Sequence, residues 1–200
     1  MVKSGRDDIT GVILVGGKSR RMGRDKALLQ IDGRPLFERV LEIFRESFSR
    51  LLLVGDRAER FSGCGLPVLP DIYPGSALGG LYTALSLAET EYIFVSPCDL
   101  PFPNREMLHF LCSLREGYDA VVPTPAHRFE PLFAVYAKSC LGPMRELLES
   151  GDLCVYDFYP RVRVRYVQDE ELAPFDRDGK SFVNVNTPEE FERIGKEAPL

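Results

Sequence analysis

The short run Gly11–Val15 (Gly-Val-Ile-Leu-Val) leads directly into Gly16-Gly17-Lys18-Ser19-Arg20-Arg21-Met22-Gly23-Arg24-Asp25-Lys26, and this junction restricts the fold more than any other feature of the chain. A brief, β-branched apolar segment bounded by glycine reads as a buried parallel strand rather than a helix. In open α/β sheets the loop at the carboxyl end of such a strand faces the ligand crevice. Gly16 and Gly17 let the backbone turn sharply and bring N–H groups against an anion. Lys18, Arg20, Arg21, Arg24 and Lys26 add positive charge opposed only by Asp25, so the loop is suited to a polyphosphate.

Two familiar phosphate loops do not fit. A P-loop requires glycine four residues before the Gly17-Lys18 pair, where Val12 stands. Gly16, Gly17 and Gly23 do not make the G-x-G-x-x-G dinucleotide fingerprint, which argues against hydride transfer. Further apolar strands are expected at Leu51–Val54, Tyr92–Val95 and Ala120–Val122, with a short apolar segment at 66–69. Leu36, Phe37, Val40, Leu41, Phe44 and Phe48 recur at helical spacing between the first two strands and predict an amphipathic crossover helix. Arg161–Val167 alternates with period two and predicts a strand with one solvent face. Alternating strands and helices predict a layered, mostly parallel sheet.

At 200 residues and 44% hydrophobic content the chain suits one α/β domain, with residues 1–8 and 196–200 expected as flexible tails. Its five cysteines are odd in number and form no C-x-x-C pair, which argues against a disulfide framework or zinc site and favours a reducing cytoplasm. No stretch reaches membrane-spanning length and no signal-peptide pattern precedes the first strand, so a soluble cytoplasmic protein is expected. The net charge of −5 argues against a general nucleic-acid surface, while the 16–26 loop is locally basic.

Three further places carry candidate chemistry. Asp99, just past the strand at 92–95, reads either as a turn aspartate capping the next segment or as a ligand for Mg²⁺, which takes few protein oxygens and completes its shell from substrate. Asp71 precedes Gly75, Gly79 and Gly80, a loop in which backbone can approach a base or ribose closely; an Asx turn before Pro74 is the plainer alternative. Asn184 and Asn186 share one face of an alternating segment, while Thr187, Pro188 and Glu190 read as a helix start with a capping box. Arg128, beside His127, could meet an anionic second substrate. Neither histidine stands in a Cys-His pattern that would make Cys98 a nucleophile.

Leu14, Gly16, Gly17, Ser19, Arg21, Met22, Gly23, Asp25 and Lys26 fill the L-x-G-G-x-S-x-R-M-G-x-D-K pattern, with Val15 where alanine is more usual. The chain resembles the molybdenum cofactor guanylyltransferase branch of the nucleotidyltransferases. The likeness continues through residues 71–80 (DIYPGSALGG), 97–102 (PCDLPF), 130–136 (EPLFAVY) and 182–190 (FVNVNTPEE) and covers nearly the whole chain. It implies a single three-layer α/β/α domain with a mostly parallel, Rossmann-like sheet of the nucleotide-diphospho-sugar transferase type. It also implies Mg²⁺-dependent transfer of GMP from GTP to the phosphate of molybdopterin, with release of pyrophosphate.

By resemblance Lys26, Arg21 and Asp99 carry the chemistry and Asp99 holds the metal. The nucleotide is met by Leu14, Val15, Gly16, Gly17, Ser19, Lys26, Asp71, Gly80 and Asp99, and the acceptor by Asn184, Asn186 and Arg128. A molybdenum-cofactor delivery protein or apo-enzyme is implied as a partner; nucleic acid and membrane are not. Two departures stand out: Asp56 occupies a place where relatives often carry asparagine, and Gly151–Val155 lacks the basic residues often found there. Cytidylyl transfer to the same pterin, nucleotidyl transfer to a sugar or isoprenoid phosphate, and a non-catalytic GTP-binding regulator are the competing readings.

Overall fold

The structure, a computed structural model, describes residues 8–16, 30–56, 58–177 and 179–183. Among these, strands β1 (Ile9–Leu14), β4 (Leu51–Val54), β5 (Val68–Leu69), β6 (Tyr92–Pro97), β7 (Ala120–Pro123), β8 (Ala134–Ala137) and β9 (Val164–Val167) form one seven-stranded sheet. Its order is β5-β4-β1-β6-β8-β7-β9. Every pairing is parallel except those of β8, which runs antiparallel to both β6 and β7. The ten residues 124–133 between β7 and β8 are too few for a helical crossover, so the chain turns back as an antiparallel neighbour. A two-stranded ribbon, β2 (Gln30–Ile31) with β3 (Arg34–Pro35), lies apart.

Period-two alternation along β1 divides its side chains between two cores. Ile9, Ile13 and Val15 enter one with α1 (Leu36–Ser47) and α3 (Arg105–Ser113). Val12 and Leu14 enter the other with α2 (Ala77–Leu87) and α4 (Leu141–Ser150). The result is the expected three-layer α/β/α sandwich. In the first core Phe94 of β6 meets Phe44, Phe48 and Phe133 at centroid distances of 5.9, 6.0 and 4.9 Å. Gly11 gives up its side chain to this packing, since a Cβ there would stand 2.3 Å from the Phe48 ring.

The sequence readings shift in places. β1 begins two residues earlier than expected because Ile9 and Thr10 pair with Tyr92 and Ile93. The predicted helix ends at Ser47, with Phe48 turning to an extended conformation as its cap. The strand expected over Arg161–Val167 starts only at Val164, because Tyr159–Arg161, with Pro160 inside it, closes a helical turn. Asp8 is tied to Arg115 at 2.8 Å; residues 1–7 and 196–200 lie outside the described residues. Among the described residues no helix is long and apolar enough to cross a membrane.

Candidate active site

The parallel strands deliver their following loops to one edge of the sheet. The β1–β4 ladder continues past the strand end, with the Val15 N–H donating to the Val54 carbonyl at 2.8 Å, and the Gly55 N–H donates to the Leu69 carbonyl at 2.9 Å. The loops after β1, β4 and β5 are therefore locked together. Gly55, at φ +151°, makes this possible: a Cβ there would lie 2.7 Å from the Gly16 nitrogen and 2.8 Å from the Val15 carbonyl carbon. No residue with a side chain lets the two backbones approach so closely. Sequence reasoning missed Gly55, although Leu-Val-Gly in 14–16 and Leu-Val-Gly in 53–55 repeat the same strand-to-glycine step.

This packing brings two carboxylates to the end of β1. Asp56 Oδ1 stands 3.5 Å from where a Cβ on Gly16 would be. Asp71 Oδ1 stands 3.5 Å from the equivalent point on Gly80, with the Leu14 side chain at 3.4 Å from that point. Leu14, Asp71 and Gly80, all expected at the nucleotide, are thus brought together, and Gly16 joins them through Asp56. Asp71 Oδ1 is buried and has no hydrogen-bond partner among the described residues. Burial, and secondarily the Asp56 carboxylate, push the Asp71 carboxyl above the usual carboxylate range.

The loop carrying Asp71 is pinned to the start of α2. Ser76 caps the helix by accepting from the Gly79 N–H at 3.0 Å. The Ile72 N–H donates to Thr83 Oγ1 at 2.8 Å, and that hydroxyl donates to the Gly79 carbonyl at 2.8 Å. The positive end of the α2 dipole therefore opens at the same edge as the loops.

Asp99 follows β6. The β1–β6 register pairs Leu14 with Pro97, and two residues beyond each stand Gly16 and Asp99. Asp99 is half-buried between buried Cys98 and Leu100, which anchor its turn. Among the described residues no three His, Cys, Asp or Glu side chains gather as a metal cage. Burial pushes the Cys112 and Cys140 thiols up to about 12, which disfavours these two as nucleophiles. Gly17, Ser19, Arg21, Lys26, Asn184 and Asn186 lie outside the described residues.

Arg128 is exposed in the loop between β7 and β8, two strands along the sheet from β6. Glu130 beside it is raised above the usual carboxylate range by burial, with Arg128 opposing. Within the 130–136 motif, β8 begins at Ala134 and the preceding residues form a turn in which the Phe133 N–H donates to the Glu130 carbonyl at 3.2 Å.

The comparisons agree with this architecture. The family model of the MobA-like NTP transferase domain matches residues 11–167. A probable molybdenum cofactor guanylyltransferase of Pelotomaculum thermopropionicum is 40% identical over 183 residues, 91% of this chain and 89% of that protein. One from Carboxydothermus hydrogenoformans is 36% identical over 190 residues, covering 94% and 96%. The crystal structure of molybdopterin-guanine dinucleotide biosynthesis protein A from Archaeoglobus fulgidus superposes with a TM-score of 0.82 at 29% identity, covering 94% of this chain and 97% of the other. The chain is a nucleotidyltransferase and belongs to the MobA-like NTP transferase family.

Proposed function

We propose that the protein transfers GMP from GTP to the phosphate of molybdopterin, forming molybdopterin guanine dinucleotide and releasing pyrophosphate. The observation that carries the choice of base is the buried, unpartnered Asp71 Oδ1 beside Gly80 and Leu14, with the Asp56 carboxylate near enough to perturb it. Such an acceptor calls for a donor. Guanine presents adjacent N1–H and N2–H₂ donors on one edge, whereas cytosine presents a single exocyclic amine. The names borne by the relatives support the same reading.

An oxygen of the acceptor phosphate attacks the α-phosphorus in line. The new P–O bond forms as the bond to the bridging oxygen breaks, and pyrophosphate leaves with that electron pair. The acceptor oxygen is already anionic, so no general base is required. Lys26, Arg21 and the loop amides neutralise the charge that grows on the α-phosphoryl oxygens. The donor set suits Mg²⁺, which binds through one or two carboxylates plus substrate phosphates, and Asp99 is the carboxylate that would hold it. When bound, the ion supplies charge neutralisation across the phosphates. The crevice loops hold the base at Asp71 and leave the phosphates facing the carboxyl ends of β1 and β6.

The test is pyrophosphate release with molybdopterin and each of GTP, CTP, ATP and UTP in the presence of Mg²⁺. GTP-selective release supports the reading; CTP preference assigns the protein to cytidylyl transfer. Release only with a sugar or isoprenoid phosphate replaces the acceptor, and GTP binding without release leaves a regulator.

Asp71→Asn separates stability from binding. A folded-state carboxyl above its unfolded value holds its proton longer in the native state, so stability falls as pH rises through the interval between the two. Asparagine removes that loss, so the variant's unfolding temperature at pH 7 is expected to rise. Its GTP affinity, read by calorimetry, is expected to fall about tenfold or more, since a charge-assisted hydrogen bond is lost. A variant that gains stability and keeps full affinity would remove Asp71 from the nucleotide site.

A further inference from the structure

At the opposite end of the same sheet edge, three aromatic rings meet around Phe129. Its centroid lies 5.4 Å from Tyr156, 5.6 Å from Tyr159 and 5.5 Å from Tyr166, the last in a stacked arrangement. Tyr159 is buried, with its hydroxyl 2.8 Å from that of Tyr136, and forms the floor. Phe129, Tyr156 and Tyr166 are 42%, 46% and 37% exposed, so much of each ring faces outward. They make up three of the seven exposed large hydrophobic residues among the described residues. Rings left in water together, rather than scattered, mark a contact surface.

The segment that presents Phe129 is strained. Ala126 and His127 adopt left-handed backbone conformations, φ 48° and 60°, without being glycine. Their surroundings enforce this. The Ala126 N–H donates to the Asp169 carboxylate at 3.0 Å, the Arg128 N–H to the Pro125 carbonyl at 2.9 Å and the Glu130 N–H to the Pro123 carbonyl at 3.0 Å. Consecutive residues held in such conformations concentrate where a loop is shaped for a ligand. Here the strained turn sets Arg128 and Phe129 side by side at the carboxyl end of β7.

Position selects the occupant. Tyr166 is paired in register with Val122 near the end of β7, so the rings stand at the edge where the nucleotide loops open. β7 is two strands from β6 and β9 three, roughly 10–14 Å at about 4.8 Å per strand. A phosphate-bearing fused heterocycle reaches from Asp99 to the rings over such a span. Among cavities elsewhere, one of about 860 Å³ between α1, α3 and residues 174–181 lies on the other face of the sheet, and three of its arginines, Arg34, Arg39 and Arg105, are already ion-paired.

We propose that Phe129, Tyr156 and Tyr166 form a stacking platform for the flat fused heterocycle of the acceptor, with Arg128 at its rim for an anionic substituent. This rests on the guanylyltransferase reading for the identity of the acceptor, but the rings themselves ask only for a planar heterocycle. Stacking on aromatic side chains tolerates variation in the ligand's edge and depends on ring area.

The test titrates the protein, without nucleotide, with pterin-6-carboxylate, following quenching of its fluorescence, and then with molybdopterin, following displacement of the bound pterin-6-carboxylate. Phe129→Ala and Tyr156→Leu are each expected to weaken binding about tenfold or more, whereas Phe129→Tyr and Tyr156→Phe keep it within about twofold. GTP affinity should be the same in all five proteins. All four variants are tested with thermal unfolding as the folding check. Equal pterin affinity in wild type and ring-deleted variants overturns the proposal, as does absence of binding of both probes by folded wild type. Loss of pterin binding in the ring-deleted variants, with no pyrophosphate release from GTP and molybdopterin, would keep the platform and reject the guanylyl-transfer reading.

Discussion

Asp99→Ala is expected to lower kcat for pyrophosphate release by about 10³-fold or more while leaving the fold intact. Asp71 and Asp56 stand at the end of the sheet where β5, β4 and β1 meet, where the proposed reading puts the base against Asp71. Asp99 instead follows β6 on the other side of β1, at the level reached two residues beyond Leu14 and Pro97. On the proposed reading a carboxylate there faces the phosphates, where it is repulsive unless it recruits a cation. A bound divalent ion stabilises phosphoryl transition-state charge by several kcal/mol, and each factor of ten in rate corresponds to about 1.4 kcal/mol. Asp99→Asn preserves shape but not charge, so it should fail nearly as badly. Buried Cys98 and Leu100 hold the turn on either side, and thermal unfolding should shift little. Turnover within tenfold of wild type, with normal metal dependence, would move the metal site elsewhere.

The features most legible in the sequence were those set by local periodicity. The continuous apolar run of β1 marks a strand buried on both faces, the helical spacing from Leu36 to Phe44 marks the buried side of α1, and both elements form nearly where expected. Asp71 and Asp99 stand in loops after strands, as their places in the sequence suggest, whereas Gly79 and Gly80, expected in the same loop as Asp71, lie inside α2 because Ser76 caps a helix that starts at Ala77. The reversal of β8 was not legible, because strand direction depends on the length of the connection rather than on composition. Gly55 looked like an ordinary strand end; its necessity appears only when the β1 backbone is placed against it. The ring cluster was equally hidden. Phe129, Tyr156 and Tyr166 are separated by 27 and 10 residues, and nothing local in the chain brings them together. Tyr159 and the turn 159–161 also cut short the strand that alternation alone predicts.

Gly79→Ala is the substitution expected to cost the most stability for the smallest change of structure. In a helix interior glycine to alanine ordinarily gains about 0.5–1 kcal/mol. Here the added Cβ would fall 1.8 Å from the Tyr73 carbonyl oxygen and 2.9 Å from its carbon, so the obstacle is backbone and cannot rotate away. Residues 71–76 would have to lift from α2, breaking the Ile72–Thr83 hydrogen bond and disturbing the Ser76 cap. Overpacking of this kind costs about 1–3 kcal/mol, and the lost bond and cap about 1 kcal/mol each. A total of about 3–5 kcal/mol lowers the unfolding temperature of a chain this size by roughly 10 °C. Gly142, in the first turn of α4, provides the contrast. A Cβ there meets nothing within 4 Å, and the helical gain is offset by the steric demand of Pro143, so Gly142→Ala should stay within about 0.5 kcal/mol of wild type. Because the lifted loop carries Asp71, Gly79→Ala should also weaken GTP binding at temperatures where the variant remains folded. A Gly79→Ala protein as stable as Gly142→Ala, with full GTP affinity, would mean that the loop is not clamped to α2 and that Asp71 is not held at the base by this packing.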